Sequence, residues 1–369
     1  MAIARKLPAW AEYGLLPLLN LLLAFAVSGL VVVLLGENPL EAVRLMLYGA
    51  FGYGEAAGYT LYYATNFIFT GLAVAVAFHT GLFNIGGEGQ AYVGGLGLTL
   101  VAIHLGWLPG ILAVPLAVLA AAAFGAVWGF VPGWLQARRG SHVVITTIML
   151  NFVASAIMTY LLVNVLIKPG QSSPETVVFP ESAWMPSLKP ALELLGIDLG
   201  YAPLNLALPL ALLCCVGVWL FVWRSRLGYE LRVVGQSEAA AVYGGISPAR
   251  RIMLAMTISG ALAGLMATNE ILGAQHRLLL GFTGGYGFVG IAVALMGRNH
   301  PVGIVLASIL FGALYQGGSE LSFDMPAINR DLVVVIQGLV ILFAGALENM
   351  FRPQLEALFA RRAPEPALA

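Results

Sequence analysis

Long apolar runs, separated by short polar or glycine-rich segments, extend along almost the whole chain. A run of about 20 apolar residues is long enough to cross the hydrocarbon core of a bilayer as a helix. The pattern therefore predicts an all-α, polytopic membrane protein of about ten transmembrane helices in a single transmembrane domain over residues 1–369. The predicted spans are about 15–35, 60–78, 86–104, 109–131, 143–166, 204–223, 253–272, 284–298, 301–318 and 331–349.

A short polar break after the first span predicts a helix of a different kind. Asn38, Pro39 and Glu41 form a helix-start signature, and the apolar-rich stretch Ala42–Phe51 follows it. Thirteen residues or fewer are too short to span a bilayer, so we predict a short interfacial helix outside the membrane.

Composition supports the membrane assignment. Hydrophobic residues make up 60% of the chain and charged residues only 10%, and the mean hydropathy is +0.89. Soluble domains carry about 25% charged residues. The net charge of zero gives no indication of a nucleic-acid partner.

The basic residues orient the spans. An even number of spans leaves both termini on one side, and a cytoplasmic N-terminus places 13 of the 18 Lys and Arg residues inside, as the positive-inside rule requires. The inside set is Arg5, Lys6, Arg138, Arg139, Arg224, Arg226, Arg232, Arg250, Arg251, Arg298, Arg352, Arg361 and Arg362. The outside set is Arg44, Lys168, Lys189, Arg277 and Arg330.

Two hydrophilic connections are longer than the others. The outer one, about 167–203, contains five prolines between Pro169 and Pro190 and is either a contact for an external partner or a lid over helix ends. The inner one, about 224–252, carries five arginines, and we predict a helix over Ser237–Tyr243 that ends at Gly244–Gly245. Such a helix on the cytoplasmic face could dock on another protein, but taken alone the segment slightly favours a charged loop that obeys the positive-inside rule.

A short repeat links the two halves of the chain. Gly86–Gly89 opens the third predicted span and Gly284–Gly287 opens the eighth, so the topology places the first at the inner face and the second at the outer face. Two units of five spans have opposite orientations because five is odd. The repeat therefore predicts a five-plus-five inverted arrangement with a site near the midplane.

The segment Gly81–Gln90 concentrates polar residues and glycines between two spans: it holds an asparagine, a glutamate, a glutamine and four glycines. Polar groups at such depth are expensive unless they face protein or water. The segment is either part of a solute pathway or gate, or a loop at a tight helix contact.

Catalytic chemistry has no support in the sequence. There is no G-x-x-x-x-G-K-[ST] and no H-E-x-x-H, and Gly285–Gly290 fits G-x-G-x-x-G only where a span opens. We identify no catalytic or metal-ligating residues, and we do not expect an enzyme.

Polar groups within the predicted spans are mostly amides and hydroxyls. Apart from Asp331 and Glu348 at the two ends of the last predicted span, the carboxylates are Glu88 and Glu270, both near span ends. A proton- or sodium-coupled carrier usually needs buried carboxylates, so we expect the driving force to come from another subunit and the solute to be neutral and polar. The main polar members are Asn66, Asn151, Asn164, Asn269, Thr146, Thr147, Gln316 and Gln337.

Three segments resemble one family. His79–Gln90, Thr146–Asn151 and Gly285–Pro301 resemble the signatures of ABC-importer permeases of the branched-chain amino acid, simple sugar and nucleoside superfamily. The form F-N-I-G-G-E-G-Q favours the nucleoside branch. The resemblance implies a permease in the bacterial cytoplasmic (inner) membrane. It works with a second permease, expected to be a different chain, a cytoplasmic ATPase and an extracytoplasmic solute-binding protein.

The resemblance also implies roles for particular residues. ATP and Mg²⁺ are expected on the partner ATPase, with no cofactor in this chain. The residues assigned to coupling with the ATPase are Gly235, Glu238, Ala239, Ala240, Ala241, Tyr243, Gly245 and Ile246. The residues assigned to the pathway or gate are Asn66, Asn84, Glu88, Gln90 and Asn151.

The sequence departs from the family pattern at a few positions. Ser237 and Glu238 stand where Asn-Pro is common, Val242 replaces a frequent arginine, and Val289 replaces a frequent acid. The departures at Ser237, Glu238 and Val242 concern the contacts by which the helix would dock on the ATPase. The departure at Val289 concerns a position that is often polar in the solute pathway.

Other functions remain open at this point. The same machine could move a simple sugar such as ribose, or a branched-chain amino acid, although few charges are present to pair an ammonium and a carboxylate. A stand-alone secondary transporter with an inverted repeat is a different class, and an intramembrane enzyme is a third.

Overall fold

The computed structural model describes residues 8, 10–325, 327–328, 330–343 and 351–361. Some predictions fall outside the described residues: the placement of Arg5, Lys6 and Arg362, and the end of the last predicted span, 344–349. Within the described residues the fold is helical and has no named β-strand. The helices are α1 (Leu16–Leu34), α2 (Pro39–Phe51), α3 (Gly54–Phe78), α4 (Gly87–His104), α5 (Gly110–Arg139), α6 (Val143–Asn164), α7 (Lys189–Glu193), α8 (Ala207–Trp219), α9 (Arg226–Gln236), α10 (Glu238–Tyr243), α11 (Pro248–Ala267), α12 (Tyr286–Met296), α13 (Pro301–Asp324), α14 (Arg330–Ile341) and α15 (Arg352–Arg361).

The chain is an all-α, polytopic membrane protein. Six of the helical segments in the described part are long and apolar enough to cross a membrane, and α1 with α2, bent by 116°, makes a seventh if the pair counts as one span. The six are α3, α5, α6, α13, α8 with its π-helical end (Ala207–Arg224), and α11 with its π-helical end (Pro248–Gln275). The count of ten spans stays a prediction.

The eighth predicted span, about 284–298, needs a correction. Its helix, α12, has 11 residues. At 1.5 Å per residue it is about 16 Å long, about half the thickness of the hydrocarbon core. The segment is a half-helix, because the glycines before Tyr286 form a turn in which Gly284 and Gly285 have φ of +52° and +81°.

The described residues divide into two compact units, residues 50–316 and the two chain ends. In the unit of the chain ends, α2 begins as predicted, where the Asn38 side chain accepts a bond from the backbone N–H of Leu40 (3.0 Å). A cluster of buried apolar side chains joins the elements of this unit. Its buried members are Val32, Ala42, Leu321, Met325, Ile328, Val333 and Ile336.

The larger unit is built around α3 and α11. About 83% of the apolar window of α3 and 72% of that of α11 is buried inside the protein, but only 22% of that of α5. α6 and α8 are similarly open, at 28% each. Apolar helices with little protein around them are suited to contact with lipid, and α3 and α11 therefore form the core that positions the polar groups.

Small residues bring α5 and α11 into backbone contact. Gly125 and Gly129 are four residues apart on α5, as are Gly260 and Gly264 on α11. A Cβ added at Gly125 would lie 2.3 Å from the Gly260 carbonyl oxygen, so a side chain at this crossing would force the helices apart. Small-xxx-small patterns are the usual means of close helix packing in membranes.

The two halves of the larger unit exchange partners. α3 is followed by a glycine-rich break and α4, and α11 is followed by a glycine-rich break and α12. α3 packs against α12, α4 packs against α11, and α3 and α11 pack against each other. The two segments thus occupy equivalent places in the unit, as two structural repeats related by a two-fold axis do.

Candidate functional site

The starts of α4 and α12 meet inside the protein. A Cβ added at Gly287 would lie 2.2 Å from the backbone nitrogen of Glu88, and one at Gly87 would lie 3.2 Å from the Gly287 carbonyl oxygen. The prediction that the two glycine motifs lie at opposite faces of the membrane was therefore wrong, because backbones in contact share one depth. Thr80, Leu82 and Asn84 are themselves buried, so the loop before α4 enters the protein interior instead of ending at the surface.

Glu88 caps the neighbouring half-helix. One carboxylate oxygen accepts a bond from the backbone N–H of Gly285 (3.1 Å), and the other accepts from that of Gly287 (2.9 Å). The first N–H groups of a helix lack partners within it, and an acidic group at this end is favourable because of the helix dipole. The carboxyl group from one half of the chain thus holds the first turn of the half-helix from the other half.

Asn84 and Gln90 tie the loop before α4 to the core. The Asn84 amide donates to the Gln90 side-chain oxygen (2.9 Å) and to the Ser259 hydroxyl (2.8 Å), and its own oxygen accepts from the Gly86 N–H (2.8 Å). Ser259 in turn donates to the Ala73 carbonyl (2.6 Å). A buried polar group needs such partners, and here they connect the loop to α3 and α11 at once.

Asn151 of α6 holds the same segment from the other side. Its side-chain oxygen accepts from the Gly89 N–H (2.9 Å), and its amide nitrogen donates to the Ile85 carbonyl (2.9 Å). Three of the predicted pathway residues, Asn84, Gln90 and Asn151, thus converge on the 84–90 segment and bond within the protein in this conformation.

Asn66 belongs to a second buried network. Its amide donates to the Glu270 carboxyl oxygen (2.6 Å), and its oxygen accepts from the Asn269 amide (2.9 Å). Asn269 also accepts from the Asn205 amide (2.9 Å) and donates to the Tyr62 carbonyl (3.0 Å). The network joins α3, the residues before α8 and the π-helical continuation of α11.

Asn269 and Glu270 both lie in the π-helical segment Thr268–Gln275. Single π-helical turns are rare and occur often at functional sites. The sequence marked Asn66, Asn269 and Glu270 as polar residues within spans, but it gave no signal for Asn205 or for the part taken by Tyr62, because their partners are about 60 and 200 positions away.

Aromatic rings gather beside the start of α12. The ring centroids of Tyr63, Tyr286 and Tyr315 are 5.8 to 6.4 Å apart. Phe67 lies 5.5 Å from Tyr286 and 5.1 Å from Tyr315, and it packs on Phe311 at 6.1 Å. We call Tyr63, Phe67, Tyr286 and Tyr315 the aromatic cluster; sequence reasoning missed it, because its members come from three separate helices.

The predicted helix of the inner connection is present as α10. The Ser237 hydroxyl accepts from the Ala240 N–H (3.2 Å) at its start, and Gly245 follows it with a φ of +73°. Six of the eight residues assigned to coupling are exposed: Gly235, Glu238, Ala239, Ala240, Tyr243 and Gly245. Of the other two, Ile246 is half-buried and Ala241 is buried. Tyr243 is 95% exposed, so α10 offers a largely uncovered surface.

Two contacts connect this surface to the loop before α4. Ala241 packs in an apolar cluster that contains Leu82. Gly235, near the end of α9, lies against the turn before Leu82. A Cβ added at Gly235 would lie 2.4 Å from the His79 carbonyl oxygen and 2.9 Å from the Gly81 nitrogen. Gly81 itself has a φ of +74°. A displacement of α9 and α10 would therefore act directly on the turn that leads to Asn84.

The long outer connection covers the end of the α11 extension. Backbone N–H groups of Thr176, Phe179 and Met185 donate to the carbonyls of Leu278 (3.1 Å), His276 (2.8 Å) and Leu272 (2.9 Å). These bonds give the connection the form of a lid.

Side chains add to the attachment of this lid. The carboxylate of Glu175 pairs with Arg277 at 3.1 Å, and the Trp184 ring stacks on His276 with centroids 3.9 Å apart. Burial lowers the pKa of the His276 imidazole, and its bond to the Leu272 carbonyl offsets part of that effect.

These features define a class of protein: a polytopic, all-α membrane permease in which the start of the half-helix α12 meets the start of α4 between the two repeats. A family model described as "Branched-chain amino acid transport system / permease component" matches residues 56–345. The chain belongs to this family of permease components, which confirms the resemblance seen in its motifs.

Several relatives match almost the full length. The chain is 36% identical to the glucose ABC transporter permease protein TsgB13 of Haloferax volcanii over 97% of its own length and 93% of the relative's. It is 38% identical to the guanosine ABC transporter permease protein NupP of Bacillus subtilis (90% and 93% of the two chains). It is 31% identical to the nucleoside ABC transporter permease protein NupB of Lactococcus lactis subsp. cremoris (95% and 96%).

Each of these three organisms also has a second, more distant relative, 25–26% identical to this chain. No solved structure matches the chain.

Proposed function

We propose that this chain is the permease subunit of an ATP-driven importer that moves nucleosides across the bacterial cytoplasmic (inner) membrane, with both termini in the cytoplasm. The chain itself catalyses no reaction. ATP and Mg²⁺ bind to a separate ATPase subunit, and this chain needs no cofactor.

The observation that carries the coupling role is the pair of faces on α10. One face is exposed, and on the other Ala241 packs in the cluster that holds Leu82. A cytoplasmic ATPase docked on the exposed face would move α10 and α9 together, and the Gly235–Gly81 contact would pass that movement to the polar segment 84–90. The two repeats would then rock about their meeting point at Gly87 and Gly287.

The proposed assembly has three further kinds of subunit: the ATPase, an extracytoplasmic solute-binding protein, and a second permease that is a different chain. The pairing of two unlike relatives in each of three organisms supports a heterodimer of permeases. The outer lid over residues 272–278 supplies a structured surface for the solute-binding protein.

A nucleoside is the cargo that the observations favour. The relatives from Bacillus subtilis and Lactococcus lactis are named for guanosine and nucleosides. The polar groups gathered at the half-helix starts are mainly amides and hydroxyls, which suit a neutral polar solute. A branched-chain amino acid would need partners for an ammonium and a carboxylate.

A simple sugar is the second candidate. The relative from Haloferax volcanii is named for glucose, and its identity to this chain lies between those of the guanosine and nucleoside relatives. Hydroxyl-rich sugars are also neutral and would suit the same amides. A stand-alone secondary transporter is less well supported, because the relatives are named as subunits of ABC transporters.

The first experiment expresses the chain with its neighbouring genes, purifies the complex, and measures the thermal shift of the associated binding protein with nucleosides, ribose and leucine. A co-purifying ATPase with stabilisation by nucleosides alone supports the whole proposal. A response to ribose would replace the cargo, and the absence of an ATPase would favour a secondary carrier.

The coupling surface has its own test in Ala240→Asp. Ala240 is exposed on α10, so the added carboxylate should leave the permease folded but weaken ATPase docking and reduce uptake several-fold. Ser172→Asp, at an exposed position of the outer connection, adds the same charge away from this surface and should leave both unchanged. If Ala240→Asp retains the co-purifying ATPase and full uptake, the assigned docking face is wrong.

A further inference from the structure

We propose that the aromatic cluster is the surface on which the nucleobase of the transported nucleoside stacks. The inference rests on the proposed nucleoside cargo and assigns that cargo a place in the chain, with Tyr63, Tyr286 and Tyr315 as its contacts. The rings would contact the base of the nucleoside, which a free sugar does not have.

The shape of the cluster supports this role. The three tyrosines are half-buried, whereas Phe67 beneath them is fully buried and rests on the buried Phe311. The cluster therefore has a buried base, and its three tyrosines keep part of their surface exposed. Rings that served only to fill a core would be expected to be as buried as Phe67.

The place of the cluster supports it as well. Tyr286 is the first residue of α12, between Gly285 and Gly287, whose N–H groups bond to Glu88. Solute sites of repeat-built transporters lie where broken helices of the two halves meet. Tyr63 comes from α3 and Tyr315 from α13, so movement of the half-helix relative to these helices would change the spacing of the three rings.

The neighbourhood supplies both kinds of contact that a nucleoside needs. The Tyr63 ring packs against that of Tyr62 at 5.4 Å, and the Tyr62 carbonyl accepts from Asn269 in the buried amide network. Flat ring faces therefore adjoin a region of amides. Stacking on aromatic side chains tolerates different bases, because every base has a π-face, so the cluster predicts a carrier of several nucleosides.

The test uses the complete transporter, with its ATPase, both permeases and binding protein, reconstituted in proteoliposomes. ATP-driven uptake of radiolabelled guanosine, adenosine and ribose is compared for Tyr286→Phe and Tyr286→Leu. Phe retains the ring and Leu retains only apolar bulk. Tyr92→Leu is the matched control, since Tyr92 is also half-buried and paired with a ring, that of Phe282 at 5.4 Å, but lies outside the cluster.

We expect Tyr286→Leu to lower nucleoside uptake about 10-fold, which corresponds to about 1.4 kcal/mol, while Tyr286→Phe and Tyr92→Leu stay within about twofold of the unmodified transporter. Equal effects of Phe and Leu at position 286, or of Leu at positions 286 and 92, would overturn the inference.

Photolabelling of the unmodified transporter with an azido-purine nucleoside covers the case in which Tyr286→Leu does not assemble. Peptides that carry Tyr63, Tyr286 or Tyr315 should be labelled, and unlabelled nucleoside should compete. Labelling confined to other peptides would overturn the inference. If the transporter imports guanosine and the variants take it up as fast as the unmodified transporter does, the stacking site is refuted but the nucleoside cargo stands. If the transporter imports only a sugar, the proposed cargo and the stacking site are both refuted.

Discussion

Replacement of Glu88 tests whether the two repeats are joined through the start of α12. The Glu88 carboxyl group accepts bonds from two backbone N–H groups, those of Gly285 and Gly287, at 3.1 and 2.9 Å. Glu88→Gln keeps one oxygen acceptor and turns an amide NH₂ toward the other N–H. Glu88→Ala removes both acceptors.

The expected destabilisation follows from the number of N–H groups left without an acceptor. A buried donor that loses its partner costs about 1–3 kcal/mol. We therefore expect the free energy of unfolding to fall by about 1–3 kcal/mol in Glu88→Gln and by about 2–6 kcal/mol in Glu88→Ala.

The assay is SDS-induced unfolding in mixed micelles, followed by circular dichroism, with transport measured in parallel. Glu41→Gln is the control, because Glu41 lies on α2 with an exposed partner, Arg44, at 3.4 Å, and such pairs contribute about 0–1 kcal/mol. If Glu88→Gln unfolds like the unmodified protein but no longer transports, the carboxyl group serves the pathway and does not hold the half-helix.

Two other perturbations examine the contact of Gly235 with the turn before α4 and the stack of Trp184 on His276. Gly235→Ala places a methyl group 2.4 Å from the His79 carbonyl oxygen, so we expect uptake to fall several-fold while the ATPase still co-purifies. Gly244→Ala is the control, because its Cβ would have no neighbour nearer than 3.5 Å, and it should leave uptake unchanged. Equal uptake by the two variants would refute the role of the Gly235 contact in coupling. Burial lowers the pKa of His276 below its unfolded value near 6.5, so the folded state binds fewer protons. The stability that this provides is present above that value and is lost as the pH falls through the folded pKa. Acidification should therefore loosen the stack of Trp184 on His276, which would be measured as a change in tryptophan fluorescence. His276→Asn should abolish that change, and asparagine tolerates the backbone φ of +52° at this position. If the fluorescence of His276→Asn depends on pH as that of the unmodified protein does, this account is wrong.

The local sequence was sufficient for several elements. The helix α10 lies within the predicted stretch, because Ser237 can accept the Ala240 N–H and Gly245 can adopt a positive φ. The start of α2 was readable from Asn38 for the same reason. Both signals involve residues two or three positions apart, so they are present in the sequence itself.

The repeat was visible in the sequence, but its geometry was not. Matching glycine motifs indicated corresponding places in the two halves, whereas the assumption that each opened a full span put them at opposite membrane faces. The contact between Gly87 and Gly287 depends on how far two loops enter the protein, which no local pattern specifies.

The sequence by itself determined the all-α membrane class, the short helix that follows Ser237, and the polar residues Asn66, Asn84, Glu88, Gln90 and Asn151 as the ones to examine, because hydrophobic length, capping and desolvation cost are properties of short segments. Only the tertiary structure decided their partners. It joined Glu88 to the start of α12, Asn66 to Glu270 and Asn269, and the tyrosines of three helices to one another. These pairs are far apart along the chain, and they meet where α3 and α11 pack together, with α12 against α3 and α4 against α11.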